Sequence, residues 1–152
     1  MFIEIKNHTK VYDNYLAVDK INFQLNKNRT LGLLGPNGCG KTTTIGMLLG
    51  LIKPSNGEIL IDDENFENLN REKILSQFNF ASPYVELPKK LTVKENLEIY
   101  GRLYGVKDLT NRIYEISDDL NLSTFLNKKT GELSSGQKNR VSLAKSLINN
   151  PK

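Results

Sequence analysis

At 152 residues, the chain is long enough for one domain with a sizeable core and too short for two comfortable ones. Hydrophobic residues make up 38% and charged residues 25%, and no apolar run approaches the roughly 18 residues of a membrane span, so the composition is typical of a soluble protein. The 21 basic and 17 acidic residues are scattered, so the net charge of +4 does not indicate a nucleic-acid surface, and the single cysteine excludes an internal disulfide.

Two short segments near the N-terminus, at positions 2–5 and 21–25, alternate apolar and polar residues. Such alternation predicts two half-buried strands, and their order favours an antiparallel pair. The segment between them, residues 9–18, has a turn-rich composition and two aromatic rings, Tyr12 and Tyr15. One of these rings could stack on a nucleotide base, and the alternative is a structural pair of half-buried tyrosines.

A glycine-rich loop follows, and it is the most informative motif in the sequence. The apolar run at residues 31–34, which predicts a buried strand, leads into it, and a helix-like run at residues 42–50 comes after it. The loop fits the pattern G-x-x-x-x-G-K-S/T, with strand, loop and helix in the order that the pattern requires. The alternative, a glycine-rich turn with an incidental lysine, is disfavoured for that reason. The stretch therefore predicts a phosphate-binding loop made of Gly35, Pro36, Asn37, Gly38, Cys39, Gly40, Lys41, Thr42 and Thr43.

The residue types of this loop suit a polyphosphate. Glycines at positions 35, 38 and 40 allow backbone N–H groups to approach the anion without interference from side chains. The N-terminus of the following helix adds unpaired N–H groups and the positive end of a dipole. Lys41 carries a full charge suited to the β- and γ-phosphates, and the Thr42 hydroxyl is placed to ligate Mg²⁺. The loop therefore predicts a magnesium-polyphosphate site.

The middle of the chain consists of short predicted strands, turns and helices that carry no chemical motif. Residues 53–57 are a turn by composition, and residues 58–62 predict a short strand. Residues 69–75 predict a polar helix, residues 77–81 another strand, and residues 82–88 a loop bracketed by prolines.

The last third of the chain is helical by pattern. Thr92 and Glu95 have the spacing of a capping box, and apolar residues at three- and four-residue intervals continue to Gly105, which ends this helix. A second amphipathic stretch covers residues 109–120, and a shorter piece covers residues 122–126.

The final helix, predicted over residues 138–148, opens with Leu-Ser-Ser-Gly-Gln at residues 133–137. Serines and a glycine before a helix indicate a capped N-terminus, and a helix N-terminus can bind an anion. Because such caps are common, this opening alone is weak evidence for a second phosphate contact.

The phosphate loop and the Leu-Ser-Ser-Gly-Gln opening together resemble one family, the ATP-binding cassette (ABC) ATPases, over essentially the whole chain. The resemblance implies that Tyr12 stacks on adenine and that residues 35–43 are the Walker A loop. It also implies that the opening of the last helix is the signature that contacts the γ-phosphate of a nucleotide held by a partner subunit, with Ser135 in place of the commoner second glycine. Residues 91–97 and 100–106 resemble the start of the helical subdomain in exporter-type members. The implied signature residues are Ser134, Ser135, Gly136 and Gln137.

The family implies an α/β fold, a P-loop NTPase core with an antiparallel β-part and a helical signature subdomain at about residues 88–137. Residues 1–152 would be the N-terminal portion of a nucleotide-binding domain, with the C-terminal part of the core missing. The implied function is that of an ATP-binding transporter subunit, which binds ATP and Mg²⁺ and couples hydrolysis to transport, favoured as export, through a membrane permease. Its partners would be that permease and a second ABC ATPase, identical or different, bound head to tail at the cytoplasmic face of the cell membrane. No nucleic-acid partner is expected.

Two departures from the family pattern bear on hydrolysis. Ser82 stands where most members carry a glutamine that contacts Mg²⁺ and the attacking water, and its shorter hydroxyl would need a bridging water. The family's Walker B aspartate and glutamate and its switch histidine would follow Lys152, and His8, the only histidine, is expected at the surface. No catalytic residue is therefore assigned. Since a general base contributes about 10²–10⁴-fold in rate, the isolated chain is expected to hydrolyse ATP poorly.

We therefore expect a truncated, split or incompletely sequenced gene product, and two alternatives to a working transport ATPase stay open. A non-hydrolysing remnant would hold nucleotide, or regulate another cassette, without turnover. A phosphate-loop ATPase that acts on nucleic acid would carry long coiled-coil insertions or a basic groove, and neither is visible in the sequence.

Overall fold

The computed structural model describes residues 2–67, 71–81 and 87–152. The chain divides into two compact units, Met1–Ile74 and Leu75–Lys152. The first unit contains an antiparallel sheet and the helix that follows the phosphate loop, and the second unit is helical. Among the described residues, no helix combines the length and the apolar character needed to cross a bilayer.

Antiparallel strands form the sheet of the first unit. In the spatial order β2-β1-β3-β4, they are β1 (Ile3–Tyr12), β2 (Tyr15–Leu25), β3 (Asn56–Ile61) and β4 (Glu64–Asn65). The predicted pairing of residues 2–5 with residues 21–25 is confirmed, since Ile3 lies opposite Leu25. The strand predicted at residues 58–62 is also confirmed and begins two residues earlier.

The hairpin of β1 and β2 extends further than the sequence indicates. The prediction of a turn-rich segment over residues 9–18 is wrong. Both strands continue into this segment, and only Asp13 and Asn14 form the turn. Tyr12 and Tyr15 lie directly opposite each other across this turn, and Asp13 has a φ of +48°. A two-residue turn with a left-handed residue matches the twist of paired strands, which favours a tight hairpin over a loose loop.

A bulge in β1 carries His8 into the interior. With strict alternation, Ile3 and Ile5 would share one face of the sheet and His8 would lie on the other. Asn7, however, has a φ of +49°, and the register with β2 shifts between Ile5 and His8. His8 is consequently 0% exposed, and burial lowers its pKa because the charged imidazolium would lose its hydration. The expectation of a surface histidine is therefore wrong.

Two of the predicted strands do not form. Residues 31–34 have no strand structure and Leu34 is 94% exposed, while residues 77–81 are likewise irregular. A strand needs a neighbour that completes its backbone hydrogen bonds, and within the described parts of the chain the sheet contains neither segment. The prediction of a strand is wrong at both sites, because an apolar run indicates the type of element and does not supply its partner.

The helices of the first half match their predictions where they are described. Helix α1 (Lys41–Leu48) confirms the helix predicted at residues 42–50 and ends two residues earlier, burying Thr44 and Met47. Helix α2 (Arg71–Leu75) coincides with the later part of the helix predicted at residues 69–75. The remainder of that prediction, and residues 82–86 of the predicted loop, lie outside the described residues.

The second unit is built from three helices and two short 3₁₀ turns. The helices are α3 (Val93–Leu103), α4 (Leu109–Asp119) and α5 (Ser135–Leu147), and the turns are Ser123–Phe125 and Thr130–Glu132. All three predicted helices are confirmed, and the piece predicted at residues 122–126 is the first of the 3₁₀ turns. The predicted capping box is also confirmed, since the Thr92 hydroxyl accepts the Glu95 backbone N–H and the Glu95 carboxylate accepts the Thr92 backbone N–H.

One apolar cluster holds this unit together. Its members come from all three helices and the connections between them, and full burial of each large aliphatic side chain contributes roughly 1.5–3 kcal/mol. The buried members are Val93, Leu97, Ile113, Ile116, Leu122, Phe125, Leu126, Leu133, Val141, Ala144 and Ile148.

Candidate functional site

The phosphate loop enters α1 through a glycine that no other residue could replace without strain. Gly40, the N-cap of α1, has a φ of +90°, and no side chain caps this helix. A Cβ built on Gly40 would lie 2.4 Å from the backbone oxygen of Ala17 on β2, well inside contact distance. The loop backbone therefore packs directly against β2, and the first N–H groups of α1 have no side chain of their own to bind them.

Hydrogen bonds to carbonyl groups of the loop hold the Lys41 side chain against the loop. Its ammonium donates to the backbone oxygens of Gly35 and Pro36, each at 2.8 Å, and approaches the Cys39 sulfur at 3.7 Å. An ammonium has three donors, so the third faces only a weak thiol acceptor. A phosphate oxygen is a far stronger acceptor than a thiol, and the lysine is held where it can offer that third donor to an anion at the loop.

The first turn of α1 contains no acidic residue that would compete with an anion. By helix geometry, the N–H groups at the N-cap and the first three helical positions have no intrahelical acceptor. The Thr44 hydroxyl donates to the Gly40 oxygen at 2.9 Å and therefore satisfies none of these N–H groups. Thr42 is exposed and Thr43 is half-buried, so the Thr42 hydroxyl is the one open to a ligand at this end of the helix.

The tip of the β1–β2 hairpin brings two tyrosines into the same unit as the loop. Tyr12 is 42% exposed and Tyr15 is 61% exposed, so the reading of both as half-buried structural rings does not describe them. The Lys10 ammonium lies 4.8 Å from the centre of the Tyr12 ring. The Tyr15 hydroxyl donates to the Gly38 oxygen of the phosphate loop at 3.4 Å. Sequence reasoning missed this last contact, although the two-residue Asp-Asn turn places Tyr15 opposite Tyr12.

In the second unit, the predicted signature forms the N-terminus of α5. The hydroxyl of Ser134 accepts the Gln137 backbone N–H at 3.3 Å, and the Gln137 side-chain oxygen accepts the Ser134 N–H at 2.9 Å, which is a reciprocal capping box. Ser135 and Gly136 lie between them and are exposed, and a Cβ on Gly136 would meet no atom within 4 Å. Two of the four residues predicted to contact nucleotide, Ser134 and Gln137, thus use their side chains to stabilise their own helix.

The residues present fit a nucleoside triphosphate with Mg²⁺. The loop offers an ammonium with a spare donor, uncapped backbone N–H groups and an exposed threonine hydroxyl. In the part of the chain that the structure describes, no cluster of histidine, cysteine or carboxylate groups could hold a metal ion by itself. Among the loop residues, Thr42 offers an exposed hydroxyl that could join phosphate oxygens and water around Mg²⁺, which is how this ion usually binds beside phosphates. The Ser82 prediction lies outside the described residues.

The chain is similar to known proteins over nearly its whole length. The family model described as ABC transporter matches residues 18–152. The SkfA peptide export ATP-binding protein SkfE of Bacillus subtilis (strain 168) is 36% identical over 148 residues, which cover 96% of this chain and 61% of that protein. The bacitracin transport ATP-binding protein BcrA of Bacillus licheniformis is 38% identical over 152 residues, covering 98% and 48%. The zinc import ATP-binding protein ZnuC of Rickettsia bellii (strain RML369-C) is 38% identical over 149 residues, covering 98% and 58%.

Solved structures give the same result for the fold. A putative ABC transporter ATP-binding protein from Pyrococcus furiosus superposes with a TM-score of 0.84 at 30% identity, covering 100% of this chain and 72% of that one. The ADP conformation of an ATP-binding cassette of an ABC transporter superposes with a TM-score of 0.85 at 26% identity, covering 99% and 66%. The predicted α/β P-loop fold with its antiparallel β-part is thereby confirmed. The chain spans about half the length of the curated relatives it matches, between 48% and 61% for the three described above.

Proposed function

The chain belongs to the ABC transporter family, and from that membership we propose that it binds ATP with Mg²⁺ as part of a transporter's ATP-binding subunit. Residues 1–152 would form the N-terminal portion of its nucleotide-binding domain, with the helical subdomain at about residues 88–137. Relatives named for peptide export, bacitracin transport and zinc import share the ATP-binding description and differ in cargo. The cargo is therefore a property of the partner that carries it.

The hydrogen bonding of the Lys41 ammonium is the observation that supports ATP binding most strongly. Two loop carbonyls accept from the ammonium at 2.8 Å, and its third donor has only the thiol of Cys39. In the proposed complex Lys41 and the loop N–H groups bind the phosphates, and the exposed ring of Tyr12 stacks on the base. Bound Mg²⁺, shared between Thr42 and phosphate oxygens, would offset the negative charge of the phosphates.

The proposed assembly follows the family pattern. Two ATP-binding subunits pair head to tail, so that the α5 N-terminus of one subunit, with Ser135 and Gly136 exposed, meets the nucleotide on the other. The pair sits at the cytoplasmic face of a membrane and drives a permease by hydrolysing ATP. Export is the proposed direction, because residues 91–97 and 100–106 resemble exporter-type members and SkfE is named for export.

Calorimetric titration of the chain with ATP in excess Mg²⁺ tests the proposal. Hydrogen bonds to charged groups contribute about 1.5–3 kcal/mol, so Lys41→Ala is expected to weaken binding about 10- to 150-fold. Lys27→Ala is the matched control, because it removes the same charge from an exposed turn position before the loop. Equal affinities for the two variants would contradict the proposed role of Lys41.

Steady-state hydrolysis measured on the same samples addresses turnover separately. We expect the wild-type chain to bind ATP and to hydrolyse it slowly by itself, since none of its described residues is assigned as a general base. Addition of a full-length relative's subunit would test whether the chain joins a working pair. Fast turnover by the chain alone would contradict this part of the proposal.

A further inference from the structure

Tyr15 begins β2, and its side chain hydrogen-bonds to the phosphate loop. It lies directly opposite Tyr12, and cross-strand partners project to the same face of a sheet. Its hydroxyl donates to the Gly38 oxygen at 3.4 Å, and its ring is 61% exposed, so no core packing explains its position. The distance is long for an O–H···O bond.

The bond to Gly38 fixes the orientation of one peptide group. In a trans peptide, the carbonyl of Gly38 and the N–H of Cys39 point in opposite directions, and the described chain has no cis peptide. The carbonyl faces Tyr15 on the hairpin side of the loop. The Cys39 N–H, on the other side, donates to the Pro36 oxygen at 3.4 Å. That same oxygen accepts the Lys41 ammonium, so the Cys39 N–H is on the side of the loop where Lys41 lies.

A second contact keeps β2 against the loop two residues further along each segment. A Cβ on Gly40 would lie 2.4 Å from the Ala17 oxygen and 3.0 Å from a methyl group of Val18. Residues 15 and 17 of β2 thus lie against residues 38 and 40 of the loop. The intervening peptide is therefore held from β2 by the Tyr15 hydroxyl and from within the loop by the bond between the Cys39 N–H and the Pro36 oxygen.

We propose that Tyr15 is a positioning residue for phosphate binding, whose hydroxyl holds the Gly38 carbonyl on the hairpin side of the loop so that the Cys39 N–H can leave the Pro36 oxygen and donate to the phosphates. This inference rests on the proposed function. It adds to the site a residue of the hairpin, which lies outside the glycine-rich motif. Tyr15 acts through the loop backbone. It should therefore affect any ligand with a phosphate chain, with or without a base.

The test uses inorganic tripolyphosphate and ATP as probes, both with Mg²⁺. Tyr15→Phe removes only the hydroxyl, and Tyr114→Phe is the matched control because Tyr114 is an exposed tyrosine on α4 in the second unit. Cys39 is the only cysteine, so labelling with ¹⁵N-cysteine gives a single amide resonance that reports the orientation of this peptide. We expect Tyr15→Phe to weaken both probes equally, by about 2- to 10-fold, and to shift the Cys39 resonance, while Tyr114→Phe changes neither.

Each other outcome overturns the inference in a distinguishable way. If Tyr15→Phe weakens ATP and not tripolyphosphate, Tyr15 contacts the base. If both probes bind the variant as tightly as wild type, or the Cys39 resonance stays in place while affinity falls, the hydroxyl does not orient this peptide. If the wild-type chain binds neither probe, the proposed function fails and this inference fails with it.

Discussion

Helices α1 and α5 both begin at residues that the sequence marks as phosphate contacts, but their first turns are satisfied in different ways. Helix α5 caps itself, through the reciprocal hydrogen bonds of Ser134 and Gln137. Helix α1 begins at Gly40 in the left-handed region with no side-chain cap, beneath a lysine held by loop carbonyls. A capped terminus stabilises its own helix, whereas an uncapped terminus leaves its N–H groups to a ligand.

The difference assigns distinct roles to the two ends. The N-terminus of α1 has no side-chain cap, so the glycine and the hydroxyl at this end should contribute to stability in a different way from those of α5. The N-terminus of α5 is stable without a ligand and exposes Ser135 and Gly136 between its two capping residues. Equivalent substitutions at the two ends should therefore give different results, and the predictions below begin with the largest difference.

Substitution of a glycine by alanine should have opposite effects at the two ends. Gly40→Ala places a Cβ at a φ of +90° and 2.4 Å from the Ala17 oxygen, and should lower the free energy of unfolding by roughly 2–3 kcal/mol. Gly136→Ala adds a Cβ where nothing lies within 4 Å, inside a helix, and should raise it by about 0.4–1 kcal/mol. Urea unfolding followed by circular dichroism measures both. Destabilisation by both variants to the same extent would remove the distinction between the two termini.

Acidification should destabilise the unit that carries α1 through its buried histidine. Neither ring nitrogen of His8 has a hydrogen-bond partner among the described residues, and burial lowers its pKa from the ordinary value of 6.5. The unfolded chain therefore binds a proton more readily than the folded one. Stability should fall as the pH drops below about 6.5, by up to about 1.4 kcal/mol per pH unit, and His8 should add no pH dependence above that value.

The matched variant for this prediction is His8→Leu, which removes the only histidine in the chain. Urea midpoints of wild type and variant, measured between pH 5.5 and 7.5, should diverge on the acid side of the range. Parallel curves would mean that His8 titrates alike in the folded and unfolded states.

Removal of a hydroxyl should destabilise α5 and leave α1 unchanged. Ser134→Ala removes the cap of a helix that buries Val141, Ala144 and Ile148, and should cost about 1 kcal/mol. Thr42→Ala removes an exposed hydroxyl that caps nothing, and should change stability by less than about 0.5 kcal/mol. Thermal denaturation of the two variants without nucleotide tests this contrast. A similar loss in both would show that the first turn of α1 also depends on its own side chains.

The parts of the fold that the sequence predicts are those with local causes. The helices α3 to α5 follow from apolar spacing and from the capping pattern that begins at Thr92, and the loop before α1 follows from its glycines and lysine. Each of these signals lies within a few residues of the structure it specifies. The same holds for the antiparallel pairing of β1 and β2, where alternation and proximity agree.

The predictions that failed depend on distant or irregular partners. Residues 31–34 have the composition of a buried strand, yet no described strand pairs with them and Leu34 is exposed. The burial of His8 depends on a single residue, Asn7, whose left-handed φ shifts the alternation of β1. The contact between Tyr15 and Gly38 depends on how the hairpin packs on the loop, for which periodicity has no signal.

The most direct test of the central claim is a ¹H–¹⁵N titration of the dilute chain with ATP and Mg²⁺. The uncapped N-terminus of α1 and its loop should bind the phosphates, so the amide resonances of residues 38–43 should shift saturably, and Lys41→Ala should require about 10- to 150-fold more ATP for the same shifts. If these amides stay in place while others respond to ATP, the phosphate loop is not where this chain binds nucleotide.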